Sequence, residues 1–187
     1  MFQPGFAELV ELACHDLRTP LATVNGFAKT MLRAGDLGGR DVRYVEMIDE
    51  AATDMTRLVA QLGLAARIAA GHYSPELLEA DTLGLASSSG DGRISAHGEG
   101  TTIETDPDVV GRALTALAVA ALRFGEADSV EWAVAGRKLA LSPLTGGAAP
   151  VLDGSAPHDL GALVAMFVIT DLGGGVEVDG ETLRVRL

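Results

Sequence analysis

The sequence predicts a mixed α+β protein: a long helical hairpin, which pairs with a second copy into a four-helix bundle, followed by a unit of short strands and helices. Three observations carry that reading. Apolar residues recur in steps of four and three through most of residues 1–71. Beyond Gly71, glycine, serine, aspartate and proline cut the chain into short pieces. Charge divides at the same place: residues 1–71 hold 7 basic and 9 acidic side chains, residues 72–187 hold 7 and 17, for net charges of −2 and −10. The domains expected are therefore 1–71 and 72–187.

The first helix is read from Pro4 to about Ala34. Val10, Cys14, Leu17, Leu21, Val24, Ala28 and Met31 form a heptad seam. Pro4 suits a helix start, where its missing N–H costs nothing. The run Ala34-Gly35-Asp36-Leu37-Gly38-Gly39 breaks the helix. A second seam follows through Tyr44, Ile48, Ala51, Met55, Leu58, Leu62, Ala65 and Ala69, and stops at Gly71. Each helix of about 30 residues spans roughly 45 Å. One hairpin cannot enclose both seams, so a homodimer through residues 4–70 is expected.

Composition narrows the function classes. A net charge of −12 speaks against nucleic acid and anionic membranes as partners, since both need clustered Lys and Arg. A single cysteine, Cys14, excludes an internal disulfide framework and suits a reducing, cytoplasmic compartment. No signal-peptide pattern opens the chain. The longest uncharged apolar stretch, Ala113 to Leu122, is about half of the roughly 20 residues a membrane helix needs.

The first helix contains Cys14-His15-Asp16-Leu17-Arg18-Thr19-Pro20-Leu21. His15 follows a seam position, so its ring lies beside the bundle core and reaches solvent. Thr19 stands one turn further on, on the same face. Pro20 inside a helix removes a hydrogen bond and forces a bend. The run His-Asp-Leu-Arg-Thr-Pro-Leu resembles the phospho-accepting H-box of sensor histidine kinases, in their dimerisation and histidine-phosphotransfer domain. The resemblance implies that His15 carries a phosphoryl group on a ring nitrogen. It implies that Asp16 accepts a hydrogen bond from the other nitrogen, fixing the tautomer and raising nucleophilicity. Thr19 aligns with the residue that positions water for dephosphorylating a partner receiver. Pro20 is structural at the site.

In the second unit the elements read in order as follows. Tyr73 to Ala86 admits two readings, a capped short helix from Ser74 or a strand. Ser87 to Gly92 is a loop, and Arg93–Ala96 and Thr101–Thr105 alternate as strands. Asp106-Pro107-Asp108 caps a buried helix, Val109 to Phe124. Val130–Val134 and Lys138–Leu141 form a hairpin around Gly136. Asp159 to Asp171 is a second apolar helix ended by Gly173-Gly174-Gly175, and Val176–Val178 with Thr182–Leu187 closes the chain as a hairpin on an Asp179-Gly180 turn. This order is similar to the two-layer α/β sandwich of the histidine-kinase ATP-binding domain, dimeric kinase-like histidine phosphotransferases included.

The nucleotide ligands of that domain are missing. Ala116, Val119 and Ala120 stand where its helix offers Asn to Mg²⁺ and phosphates. Ser142-Pro143-Leu144 replaces the adenine-binding Asp-x-Gly-x-Gly, Asp153-Gly154-Ser155 is too incomplete to serve, and the lid motif is reduced to Leu160-Gly161-Ala162-Leu163. Thr145 to Pro157 is read as a short connection. A triphosphate needs oxygen ligands for Mg²⁺ and N–H or cationic groups around its charge. No bound cofactor is therefore expected: ATP is disfavoured, and any Mg²⁺ comes with the partner receiver. His72, His97 and His158 are placed in loops without metal-ligand spacing.

Three functions follow from the resemblance. The chain exchanges a phosphoryl group between His15 and the aspartates of response-regulator receivers; or it is a sensor-kinase core that phosphorylates His15 from ATP; or it is a docking module without chemistry. The intact motif favours the first two over the third.

Overall fold

A computed structural model of the chain describes residues 6–35 and 37–187, without the side chains of residues 6, 8, 9, 11–13 and 16. It divides into two compact units, the first ending at Tyr73 and the second beginning at Ser74. The helix-starting role read for Pro4 lies outside the described residues.

The first unit is a hairpin of α1 (Phe6–Ala34) and α2 (Gly39–Ala69). Gly35, with φ of +72°, turns the chain out of α1 into a conformation that side-chain-bearing residues avoid. At the far end of α2, Gly71 adopts φ of +71°. Its N–H donates to the Ile68 carbonyl, and the His72 N–H donates to the Arg67 carbonyl at 2.8 Å. That pair of bonds is a Schellman stop.

The hairpin closes along only part of the apolar surface. On α1, Cys14, Leu21 and Ala28 are buried, each one heptad after the last. They face a buried row on α2 that includes Val45, Ala52 and Ala66. The intervening seam positions Leu17, Val24 and Met31 stay exposed, as do Tyr44, Ile48, Met55, Leu58 and Leu62 of the second seam. Polar contacts between the helices are few among the described residues. Asn25 Nδ2 donates to Thr53 Oγ1 at 3.1 Å, and Lys29 lies 3.9 Å from Asp49.

The second unit has two layers. A five-stranded sheet runs in the order β2 (Ile94–Glu99), β4 (Val130–Ala135), β5 (Lys138–Ser142), β7 (Thr182–Arg186), β6 (Gly175–Asp179). Only the β2–β4 pairing is parallel. Val130, Trp132 and Val134 alternate with exposed neighbours on β4, and Leu139 and Leu141 on β5 and Leu183 and Val185 on β7 alternate with exposed or half-buried ones. One face of the sheet is therefore apolar. Helices α4 (Pro107–Phe124) and α6 (Leu160–Asp171) pack together in the second layer. Asp106 caps α4 by accepting the Val109 N–H at 3.1 Å, and Asp159 caps α6 by accepting the Ala162 N–H at 2.9 Å. A two-stranded ribbon, β1 (Leu78–Asp81) with β3 (Thr102–Thr105), and the short α3 (Thr82–Ala86) complete the unit.

Three local readings are corrected or decided. The segment from Ser74 forms no helix; the strand reading holds, at Leu78–Asp81, and the short helix begins one residue later, capped by Asp81 through the Gly84 N–H at 2.8 Å. His97 is on β2 rather than in a loop, with Nδ1 3.6 Å from Glu131 Oε2 on the neighbouring strand. The connection Thr145 to Pro157 contains a fifth helix, α5 (Ala148–Leu152).

Leu117 of α4 has no exposed surface, whereas Phe167 of α6 is 41% exposed. Leu117→Ala is expected to lower the unfolding free energy by about 2–5 kcal/mol. Phe167→Ala is expected to cost less than about 2 kcal/mol, because much of its ring is already in water. Urea unfolding followed by circular dichroism measures both.

Candidate functional site

The residues singled out on α1 sit beside a close contact between α1 and α2. Cys14 is 2% exposed and packs against Gly63 of α2. A methyl group on Gly63 would meet the Cys14 Cβ at 3.3 Å and the Arg18 guanidinium at 3.6 Å. Glycine at 63 thus lets α1 and α2 approach and lets the Arg18 side chain reach across to α2. Burial pushes the Cys14 thiol pKa up, opposed in part by the Arg18 charge.

His15 is the next residue, and the turn of the helix carries it from this contact to an exposed face. Thr19 is exposed one turn along on the same face. Its carbonyl accepts the Thr23 hydroxyl at 3.0 Å. Pro20 is exposed and inside α1, which stays helical through it. It offers no N–H to the carbonyl four residues back. Asp16 belongs to α1, and its side chain lies outside the described residues. The constellation is thus one strip of one helix: an exposed imidazole, a hydroxyl one turn away and a guanidinium held against α2. An exposed imidazole on a rigid helix can act as a nitrogen nucleophile toward a group presented by another molecule.

Sequence reading gave no role to Gly63 or Arg18. Gly63 interrupts the second helix at a position that costs roughly 1 kcal/mol relative to alanine. Such a glycine inside a strong helical pattern is the available signal of close approach.

In the second unit, Ala116 and Val119 are half-buried and Ala120 is buried on α4. Next to α4 and α6 packs α5, with Ala148, Val151 and Leu152 almost wholly enclosed. The segment is tied to the end of α4: the Gly147 N–H donates to the Phe124 carbonyl at 3.0 Å, and the Glu126 N–H to Thr145 Oγ1 at 2.8 Å. Asp153 is exposed and accepts the Ser155 N–H at 2.7 Å, and hydrogen bonds from Ser155 hold its carboxyl below the usual range. Leu160–Leu163 form the first turn of α6. Among the described residues no group of three His, Cys, Asp or Glu side chains could hold a metal, and no helix is long and apolar enough to cross a membrane.

Residues 7–71 match the His Kinase A (phospho-acceptor) domain. No curated protein matches the chain. Solved structures of similar fold include full-length ShkA in complex with AMPPNP, at 20% identity and a TM-score of 0.64, covering 95% of this chain and 44% of that one. Histidine kinase AdeS of Acinetobacter baumannii shares 15% identity at a TM-score of 0.58, covering 92% of this chain and 96% of that one. The cytoplasmic segment of histidine kinase QseC shares 12% at 0.52, covering 73% and 92%. The chain thus joins a helical hairpin that matches the phospho-acceptor domain to an α+β unit similar in fold to these histidine kinases, and spans less than half the length of ShkA.

The packing at Cys14 makes its thiol a reporter of the hairpin. Attack by 5,5′-dithiobis(2-nitrobenzoate) at pH 8 is expected to be about a hundredfold slower on the folded chain than on the urea-unfolded one, because the thiolate is both hidden and disfavoured. Equal rates would mean that α1 and α2 do not stay closed at this point.

Proposed function

We propose that the chain is a phosphoryl carrier of two-component signalling, accepting the group on His15 from one receiver aspartate and passing it to another. The observation that carries this is the pairing of an exposed His15, inside a matched phospho-acceptor domain, with apolar groups where a nucleotide would need ligands. In the forward step a ring nitrogen of His15 attacks phosphorus, the phosphorus–oxygen bond to the receiver aspartate breaks, and the aspartate leaves as a carboxylate. Asp16 takes the hydrogen bond from the other ring nitrogen and stabilises the positive charge the ring acquires. Mg²⁺ belongs to the receiver, which balances the charge on the phosphoryl oxygens. Thr19, one turn away, positions water when the receiver is dephosphorylated instead. Pro20 and the Thr23 hydroxyl shape the helix beneath these groups.

Two features support the view that ATP is not the donor. Ala116, Val119 and Ala120 bring no oxygen or amide ligand, and the enclosed side chains of α5 pack on the helices that would flank a triphosphate. The residues present do not fit Mg-ATP. The full H-box, with its acidic neighbour at Asp16, and the fold shared with ShkA support the second reading, a kinase core that labels His15 itself.

The exposed seam of Leu17, Val24, Met31, Ile48, Met55, Leu58 and Leu62 supports a homodimer whose two hairpins close on each other as a four-helix bundle. Response-regulator receivers then meet the outer helix face that carries His15.

A phosphorylated receiver domain is expected to transfer its label to the chain, with none transferred to His15→Gln, and calorimetry with Mg-ATP is expected to show no binding. Labelling of His15 by ATP alone would replace the carrier reading with the kinase one. No labelling from either source would leave a docking role. For the dimer, light scattering of the parent chain is expected to give twice the chain mass. Leu58→Lys with Leu62→Lys is expected to give the single mass, since two charges cannot be buried in that seam.

A further inference from the structure

Three residues past His15 on α1 stands Arg18, a cation placed where the sequence gives it nothing to pair with. Helical neighbours lie three and four residues away. For Arg18 these are Cys14, His15, Leu21 and Ala22, so His15 is the one polar side chain among them. At roughly 100° per residue, Arg18 falls between Cys14, which faces α2, and His15. Its guanidinium lies over Gly63, one terminal nitrogen 3.6 Å from where a Cβ at 63 would stand. The charge is near enough to Cys14 to oppose the rise of its thiol pKa.

The α2 stretch beneath the guanidinium, residues 58–66, has no charged side chain. Lys29 and Arg57 meet Asp49 and Asp54, at 3.9 and 3.4 Å. Arg18 forms no ion pair or side-chain hydrogen bond among the described residues. With no side chain at 63, the surface of α2 is low enough for the guanidinium to rest on it and remain exposed.

The chemistry at His15 calls for such a group. A phosphoryl group there brings about two negative charges. Asp16 is its neighbour in sequence, and Glu11 lies one turn before it. While a receiver is bound, the Mg²⁺ it carries balances that charge. Once the receiver leaves, the chain holds the charge alone, and no group of three His, Cys, Asp or Glu among the described residues could keep a metal there. Arg18 is the one cation within a turn of His15 on α1. Arg33, Arg40 and Arg43 belong to the loop end of the hairpin, roughly 25 Å away along the helices. Arg67 is one turn past Gly63 on the antiparallel α2, alongside the part of α1 that precedes Cys14.

We propose that Arg18, seated over Gly63, binds the phosphoryl group carried on His15 and holds it between one transfer and the next. The assignment rests on the reading of His15 as the phospho-acceptor. A planar guanidinium can offer two N–H groups to two phosphoryl oxygens at once, and it keeps its charge at every working pH.

The test loads the full chain with potassium phosphoramidate, which needs no receiver. The ring nitrogen attacks phosphorus, the phosphorus–nitrogen bond breaks and ammonia leaves. The ³¹P resonance missing from His15→Gln identifies the group, and its shift is followed against pH. A cation in contact favours the dianion, so the last phosphoryl proton leaves at a lower pH. Arg18→Gln is expected to raise that midpoint by about half a unit or more, and Arg18→Lys, which keeps the charge, to restore most of it. Arg67→Gln removes the same charge from the next turn of α2 and is expected to move the midpoint less than half as far, because solvent and salt screen it. All three variants are expected to match the parent's helix content by circular dichroism. An unchanged midpoint in Arg18→Gln, an equal shift in Arg67→Gln, or a parent chain that phosphoramidate cannot label at His15 would overturn the proposal. The expected shift in Arg18→Gln, together with a receiver that transfers no label, would end the carrier reading while upholding Arg18.

Discussion

The approach of α1 and α2 at Cys14 and Gly63 governs what the first unit hides and what it offers. With no side chain at 63, the helices close on Cys14, and the Arg18 side chain reaches over to α2. Once Cys14 points inward, helical geometry decides the rest. His15 is carried to the outside, Leu21 and Ala28 follow Cys14 inward at heptad spacing, and Leu17, Val24 and Met31 are left on a flank. A bulkier residue at 63 would push the helices apart and turn this register. The exposed histidine and the exposed seam are therefore two consequences of a single contact. A histidine kept beside a tightly packed position is also held on rigid backbone, which is what in-line transfer between two proteins requires.

Much of this was legible in the sequence, because the signals were long and mutually consistent. Two seams of seven and eight positions, bounded by glycine, leave little room for any fold but a hairpin. The alternation on β4, β5 and β7 and the caps at Asp106 and Asp159 likewise show in the residues, because burial on one face and capping are local demands. The readings that failed or stayed open were short. At residues 74–86, proline after serine imitates a helix start, but a strand only four residues long is favoured by pairing with β3, a partner about 25 residues away. His97 looked like a loop residue because glycines follow it, yet β2 continues to Glu99 through its pairing with β4. The α5 segment contains only five helical residues, so no periodicity could announce it.

What the sequence could not divide was the seam itself. Heptad spacing tells which residues are apolar together, and it does not say which of them meet the partner helix and which meet a second copy. Residue size is part of the answer, although Leu21 and Val45 are also buried on the closed side. Cys14, Ala28, Ala52, Gly63 and Ala66 are small and line the closed side, where two backbones approach. Leu17, Phe27, Met31, Met55, Leu58 and Leu62 are large and remain open. Small residues permit proximity, while large ones supply the area that makes association worthwhile. Phe27, 68% exposed, and Met47, 64% exposed, would be a solubility liability on a lone hairpin.

The two-layer unit holds together without reference to any ligand. The sheet, α4 and α6 depend on apolar packing around Trp132, Leu114, Leu117 and Leu183, and none of that packing requires a bound ligand. Polar groups lining a site are retained for a ligand, because a dry polar cavity is costly. Ala120 of α4 and the α5 side chains Ala148, Val151 and Leu152 are buried as part of that apolar packing. The charge distribution follows the same logic. Three of the seven basic residues beyond Gly71 pair locally with aspartate, Arg93 with Asp91, Arg123 with Asp159 and Arg184 with Asp179, so part of the acidity is offset where it stands.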